Sequence, residues 1–336
     1  MRAVFLLVMM ASVGWSGGEP AANPPASGAG MLVVANQVEH TLLLVDPVQR
    51  HETAKVVVGV NGHEVVLSKD GKLAYVPIYS NVGVGQPGTD GRSIDVVDLD
   101  SHKIVESIDM GKPVRPHRAL FGPDGMLYVS AELAKAIDVV DVKAGKVIAE
   151  IPSGQEQSHM FVFSPDGSRI YTSNVGEGSV SVLDAKSRKL ITVISVAKHV
   201  QRISITPDGK WVFTQDTDTP RVAVIDTATN KVSGWIQLPE LPYSSAVTPD
   251  GKSLLVITTN AKSPRVHVVD VASLKIVRSF DMPGVPSAIM IRPDGDAAYV
   301  SSITGGNIAV INLRTWKLEQ PIILTKGVDG MAWAAR

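Results

Sequence analysis

A chain of 336 residues, 44% of them hydrophobic, is long enough to bury a large core. Its formal net charge of −1 and the absence of any Lys/Arg run interleaved with aromatics exclude the basic footprint that phosphate contacts require, so nucleic acid is not an expected partner. The complete lack of cysteine excludes thiol nucleophiles, disulfides and thiolate metal sites.

At the amino terminus, Arg2 precedes an apolar run over residues 3–15, and small residues follow at Ser16, Gly17 and Gly18. This pattern predicts a secretory signal over residues 1–16 and a periplasmic or secreted protein. The run is shorter than the roughly 20 residues that cross a bilayer. No other stretch approaches that length, so no membrane span is expected in the mature chain. Residues 17–30 are rich in Gly, Pro, Ala and Ser and read as a flexible leader. The remainder, 31–336, reads as one domain.

Six turns in that domain share one chemistry: Lys69-Asp70-Gly71, Pro123-Asp124-Gly125, Pro165-Asp166-Gly167, Pro207-Asp208-Gly209, Pro249-Asp250-Gly251 and Pro293-Asp294-Gly295. Pro presets φ, Asp bonds the local backbone and Gly accepts a positive φ, so each is a tight reversal between strands. The aspartates are spaced by 54, 42, 42, 42 and 44 residues, the period of a four-stranded propeller blade. Five residues after the turn Asp, or four in one copy, stands a bulky slot: Tyr75, Tyr128, Tyr171, Phe213, Leu255 and Tyr299, with Val33 in a partial first copy. A β-branched run then ends in Asp46, Asp98, Asp141, Asp184, Asp226, Asp270 or Asn312, and a further apolar segment follows. Each unit therefore holds four strands, and helical periodicity is weak throughout.

Residues 31–60 supply three strands without an inner one, and residues 329–335 supply an inner strand with nothing after it. Joined, they complete a seventh blade and remove the exposed sheet edges. The predicted fold is all-β, a seven-bladed β-propeller of four antiparallel strands per blade, with an open solenoid as the alternative. Motifs such as Ser164-Pro165-Asp166-Gly167-Ser168-Arg169-Ile170-Tyr171, followed by Ser179-Val180-Ser181-Val182-Leu183-Asp184, resemble the YVTN family of β-propeller repeats. That family and its lactonase-like relatives include binding scaffolds, surface proteins and enzymes, so the resemblance implies a fold and leaves the function open.

Seven residues before each turn Asp, at the start of the inner strand, stand His63, His117, His159, Gln201, Tyr243, Ser287 and, in the extrapolated register, Asp329. In a propeller these positions ring one mouth of the axial channel. Ring closure places Asp329 beside His63, so His63, His117, His159 and Asp329 form a candidate set for a divalent metal. His199 lies two residues upstream of Gln201 and is a further candidate for the group. Neutral imidazoles alone also serve as acid, base or anion binder. Glu64, Arg118 and Arg202 follow the ring position directly, and Arg115 precedes it. Arginines there are candidates to hold a carboxylate or phosphate.

The slot-to-acid spacing is 13 in most units but 23 between Tyr75 and Asp98, which places about ten extra residues in segment 81–92. That loop is expected on the same face as the ring, as a lid. Its Gly83, Gly85 and Gly88 match GxGxxG formally, but no helix follows to receive a pyrophosphate.

Two functions follow. The first is a binding propeller that takes a small molecule, metal or protein partner at the His-rich mouth, with Gln201, Tyr243, Glu64 and Arg115 as ligand contacts. The second is a lactonase-like lactone or ester hydrolase in which His117, His159, Arg118 and Arg202 carry catalysis with a His- or metal-activated water. His40, His51, His102 and His267 share no obvious repeat phase and receive no role.

Overall fold

The structure, a computed structural model, describes residues 30–259 and 262–335. The predicted signal and all but the last residue of the predicted leader lie outside the described residues. Gly30 already belongs to the first strand, Gly30–Asn36.

Every one of the six repeated turns is made by its glycine: Gly71, Gly125, Gly167, Gly209, Gly251 and Gly295 all have φ between 69° and 78°. The turn Asp does what its chemistry predicts, accepting the backbone N–H two residues on, as in Asp124 with Met126 and Asp166 with Ser168. The acids that end the third strands form a second set of turns, since Asp141 accepts from the N–H groups of Lys143 and Ala144. These two reversals fold each unit into an antiparallel four-stranded blade. In blade 4, for example, the strands are Ser158–Phe163, Arg169–Asn174, Ser179–Asp184 and Lys189–Ser195, in that order across the sheet.

Seven such blades form a propeller. Blade 1 is assembled from both ends of the domain: Val328–Ala335 is its inner strand, followed by Gly30–Asn36, Thr41–Asp46 and His51–Val57. The closing register pairs Leu32 with Trp333, Val33 with Ala332 and Val34 with Met331. This is the predicted splice. Glycine is required where it meets blade 2: a Cβ on Gly330 would lie 2.4 Å from the His63 carbonyl oxygen, to which the Gly330 N–H donates at 2.9 Å.

Alternate residues of the second and third strands of a blade face opposite neighbours, which is why those strands lack a polar side, whereas outer strands such as His51–Val57 are largely exposed. Val33 packs with Val76 of blade 2, whereas Leu32 and Val34 pack with Tyr299 and Ile308 of blade 7. The bulky slot is core as expected: Tyr128, Tyr171, Phe213, Leu255 and Tyr299 are all buried. In blade 7 the outer strand is split into Lys317–Leu318 and Ile322–Ile323, and Pro321, which has no N–H to donate, sits in the gap.

One position inside this core is polar in some blades and not in others. Three residues before the third-strand acid stand Leu43, Asp95, Asp138, Ser181, Ala223, His267 and Ala309, so His267 does share a repeat phase. Asp95 accepts from the Gly59 N–H at 2.8 Å and from Ser107 Oγ at 2.9 Å. His267 is held between Ser279 Oγ at 2.7 Å and Glu240 Oε2 at 2.8 Å. Asp138 is buried like them, but its Oδ1 has no partner. Burial, reinforced by Glu150, pushes its carboxyl up to about 7. A raised folded pKa in an acid means that stability falls as pH rises from the unfolded value towards the folded one. Asp138→Asn should therefore stabilise the protein at pH 8, by about 2–4 kcal/mol at roughly 1.4 kcal/mol per pKa unit, and change little at pH 4. Urea unfolding at the two pH values checks this, and equal effects at both would count against it.

Candidate functional site

The inner strands carry the site because they are irregular at one place. Pairing between the first and second strands of a blade shifts register between Pro116 and Ala119, Ser158 and Met160, Val200 and Ile203, and Pro242 and Ser244. The residues stepped over are the ring positions themselves, His117, His159, Gln201 and Tyr243, along with Arg118 and Arg202. A bulge re-aims side chains that a regular strand would send to alternate faces, so Arg118 and Arg202 can converge below the imidazoles. In the three histidine blades the residue two before the ring position, Asn61, Arg115 or Gln157, also has φ of 53–56°. Eight other described non-glycine residues, such as Arg50 and Asn230, adopt it as well, so here it is a device of the repeat's turns.

Together these positions enclose a cavity of about 620 Å³ at one mouth of the channel. His63, His117, His159, Arg202, Tyr243 and Asp329 line its floor. Val38, Val60, Val82, Val84 and Ile303 give the lining an apolar share, set among Gln37, His40, Asn61 and Asn81. Val82 and Val84 belong to the inserted segment, so the extra residues stand at the predicted face.

The three imidazoles meet one another. His63 Nε2 and His117 Nε2 are 2.8 Å apart, and the His117 and His159 rings lie 3.7 Å apart at an angle of 34°. His63 Nδ1 contacts the Asn61 carbonyl at 3.0 Å, and His159 Nδ1 contacts Glu132 Oε2 at 3.3 Å. The Tyr79 hydroxyl donates to the same Glu132 oxygen at 2.6 Å. Tyr79 presents its ring edge-on to all three imidazoles at 5.2–6.2 Å. Burial holds His117 well below the usual imidazole range, helped by the neighbouring His159 and His63. It lowers His159 too, against the opposing pull of Glu132. Both rings are neutral at pH 7. Burial also drives the Tyr79 hydroxyl up, as does Glu132, so it stays a donor.

Beneath the floor lies an ion cluster. Glu64 accepts from Arg202 Nη1 at 2.7 Å and from Arg118 Nη1 at 2.9 Å, while Arg202 Nη2 lies 3.7 Å from Asp329 Oδ1. Glu64 belongs to blade 2 and Arg202 to blade 5, nearly opposite in a ring of seven, so this ion pair spans the axial channel. Burial alone would raise the Glu64 carboxyl, but Arg202 and Arg118 hold it down at about 2. Burial raises Asp329 despite Arg202.

The sequence candidates thus divide by position. His63, His117, His159, Gln201, Arg202, Tyr243 and Asp329 line the cavity. Glu64 and Arg118 are joined beneath it. Arg115 is buried behind it, fixing the inserted segment through Asp90 Oδ1 at 2.6 Å and the Gln86 carbonyl at 2.7 Å. Ser287 bonds Ser301 at 3.0 Å within its own blade, and His199 pairs with Asp218 at 2.7 Å on the exposed surface. Among the described residues no group of three or more His, Cys, Asp or Glu is arranged to hold a metal ion. The ring shows why, because His63 and His117 direct their Nε2 atoms at each other and Asp329 faces Arg202.

Tyr79 and His40 in the cavity lining and Glu132 behind His159 lie outside the ring positions that counting from the turns gives. A signal existed for two of them. Four residues past the bulky slot stand Gln37, Tyr79, Glu132, Val175, Thr217, Thr259 and Ile303, a second column of the repeat. Gln37, Tyr79 and Ile303 from that column line the cavity.

No protein-family model matches this chain, and no curated protein matches it. Solved structures do. A functionally unknown protein from Desulfotomaculum acetoxidans DSM 771 superposes with a TM-score of 0.75 at 14% identity, over 91% of this chain and 99% of that one. Hydrazine synthase of Kuenenia stuttgartiensis gives 0.66 at 18% identity, over 79% and 87%. The dihydro-heme d1 dehydrogenase NirN in complex with DHE gives 0.65 at 14% identity, over 93% and 76%. At these identities the likeness is one of fold.

Proposed function

We propose that this protein is a YVTN-type binding propeller, exported as its first 16 residues imply, that takes a small molecule in the mouth cavity. One observation carries the reading: ring positions from six blades bring three imidazoles, a glutamine, a tyrosine and a carboxylate to the lining of one space of about 620 Å³, which the inserted segment also borders. A volume of that size suits a small ligand or cofactor. A repeat that served only to close the ring would have no need of that convergence.

Calorimetry and thermal-shift measurements on the wild type, His159→Ala and a loop deletion of residues 83–88 test the proposal. Hemin is one probe, because imidazole ligates haem iron and the NirN neighbour is in complex with DHE. Zinc ion and a set of lactones are the others. Binding of any probe that is weakened at least about tenfold by His159→Ala, some 1.4 kcal/mol, supports the reading. Binding unaffected by either variant sinks it. Sequencing the amino terminus of the mature protein from separated cell fractions tests export.

The pairing of Glu132 with His159 favours a second reading. A neutral imidazole oriented by a carboxylate can take a proton from water as that water attacks a lactone or ester carbonyl. In that case turnover of a lactone panel falls by about 100-fold or more in His159→Ala, and activity surviving both His117→Ala and His159→Ala undiminished removes the hydrolase.

A further inference from the structure

The hydrogen bonds of the three imidazoles fix which nitrogen of each carries a proton. His63 Nδ1 faces two acceptors, the Asn61 carbonyl at 3.0 Å and Asn61 Oδ1 at 3.1 Å. The Asn61 amide Nδ2 is donating to the Ser80 carbonyl at 2.6 Å, so its Oδ1 can only accept. The proton of His63 is therefore on Nδ1, and its Nε2 is a lone pair. His117 Nε2, 2.8 Å from that lone pair, must be the donor. The His117 Nδ1 is then the acceptor atom, and it is buried with no partner. His159 gives its Nδ1 proton to Glu132, whose carboxylate also accepts from Tyr79. What His159 has left for the cavity is the lone pair on Nε2.

The lining also holds Gln201 and Tyr243, and His40, whose Nδ1 accepts from the Asn61 N–H at 3.1 Å and whose proton is therefore on Nε2. Arg202 is engaged by Glu64 and lies beside Asp329, and the Tyr79 hydroxyl is directed at Glu132. A ligand that seats on His159 must bring the proton itself. Five apolar side chains, Val38, Val60, Val82, Val84 and Ile303, also line the cavity, and two of them are open to solvent, Val38 at 60% and Val60 at 48% exposure.

We infer that the mouth cavity takes an apolar ring compound bearing a hydroxyl group, its ring against the valines of the lining and its O–H donated to His159 Nε2, with Glu132 as the positioning residue. The inference rests on the binding reading above and narrows it. Glu132 touches no ligand. It holds the tautomer and orientation of His159, as a carboxylate behind an imidazole does in metal and catalytic sites.

The test compares three probes on the unmodified protein by calorimetry at pH 7: 2-naphthol, 2-methoxynaphthalene and 2-naphthoate. The first donates a hydrogen bond, the second has the same ring without the donor, and the third offers only an anionic acceptor. The expected order is 2-naphthol tightest and 2-methoxynaphthalene at least about tenfold weaker, since a site built to bond a hydroxyl rejects the analogue lacking it. Glu132→Gln should weaken 2-naphthol by a similar factor and narrow its preference over 2-methoxynaphthalene. Val60→Asp, a change at an exposed position that leaves the imidazoles intact, should weaken both compounds together. Equal binding of naphthol and its methyl ether, or tightest binding of naphthoate, overturns the inference. If no naphthalene binds while hemin or a lactone binds in a His159-dependent way, the donor inference fails and the binding site stands. If no probe binds at all, both fail.

Discussion

A chain ended at residue 327 should lose its cooperative unfolding transition altogether. The missing strand, Val328–Ala335, is the inner strand of blade 1 and the pairing partner of Gly30–Asn36 over the register from Gly30–Ala335 to Asn36–Val328. Its loss exposes the edge of the first strand and uncovers Leu32, Val34 and Ile308, which are fully buried. It also removes Asp329 from the ion cluster and the Gly330 N–H from the His63 carbonyl. These losses together exceed the roughly 5–15 kcal/mol by which a domain is ordinarily stable. Calorimetry of the truncated chain should show no sharp endotherm, and adding a peptide of residues 328–336 in trans should restore one. Gly330→Ala is a milder form of the same test, because its methyl group meets backbone, which cannot move aside. A truncated protein that melts within a few degrees of the full chain would mean that blade 1 holds without its splice.

Glu64→Gln should cost about 3–5 kcal/mol, the usual penalty for removing one partner of a buried ion pair. Two guanidinium groups depend on this one carboxylate, and Arg202 is itself buried. The Nε atoms of both arginines are buried without a partner, and Arg202 would be left with Asp329 at 3.7 Å as its remaining carboxylate. The same group sets an acid limit. Its folded pKa of about 2 lies below its ordinary 4.5, so its contribution is complete above pH 4.5 and is lost as pH falls towards 2. Wild type should therefore lose about 3 kcal/mol over that window, at roughly 1.4 kcal/mol per unit, and Glu64→Gln should lose correspondingly less. Urea midpoints at pH 3 and pH 6 decide it. A single variant costing under 1 kcal/mol would show that the two arginines are solvated by other means.

The fold was legible in this sequence because each blade repeats the same local problem. A reversal needs the Pro-Asp-Gly chemistry wherever it occurs, so the turns at Asp124, Asp166, Asp208, Asp250 and Asp294 announced the period, and the period announced the ring. Half of the site followed by the same logic. His63, His117 and His159 were found by counting back from the turn, and the structure brings their rings together.

What counting could not give was depth. Glu64, Arg118 and Arg202 share one phase, yet whether such groups face a ligand or each other depends on a bulge of one or two residues that the alternation of a strand does not encode. Arg115 was visible as a charge near the mouth, but its partners Asp90 and Gln86 lie in the insertion, which has no counterpart in other blades. Glu132 and Tyr79 stand in another column of the repeat, and their meeting across 53 residues of sequence is a property of neighbouring blades. His267 appeared isolated because its equivalents are Asp, Ser, Ala and Leu, residues with no chemistry in common.

The ion pair that crosses the axis has a consequence for traffic. Below the imidazoles the axis is crossed by the buried pair of Glu64 and Arg202. A ligand in the mouth lies beside Val82 and Val84 of the inserted segment, which Arg115 fixes from behind. Shortening that loop should therefore change the rate at which a ligand leaves the mouth, which stopped-flow dissociation measures.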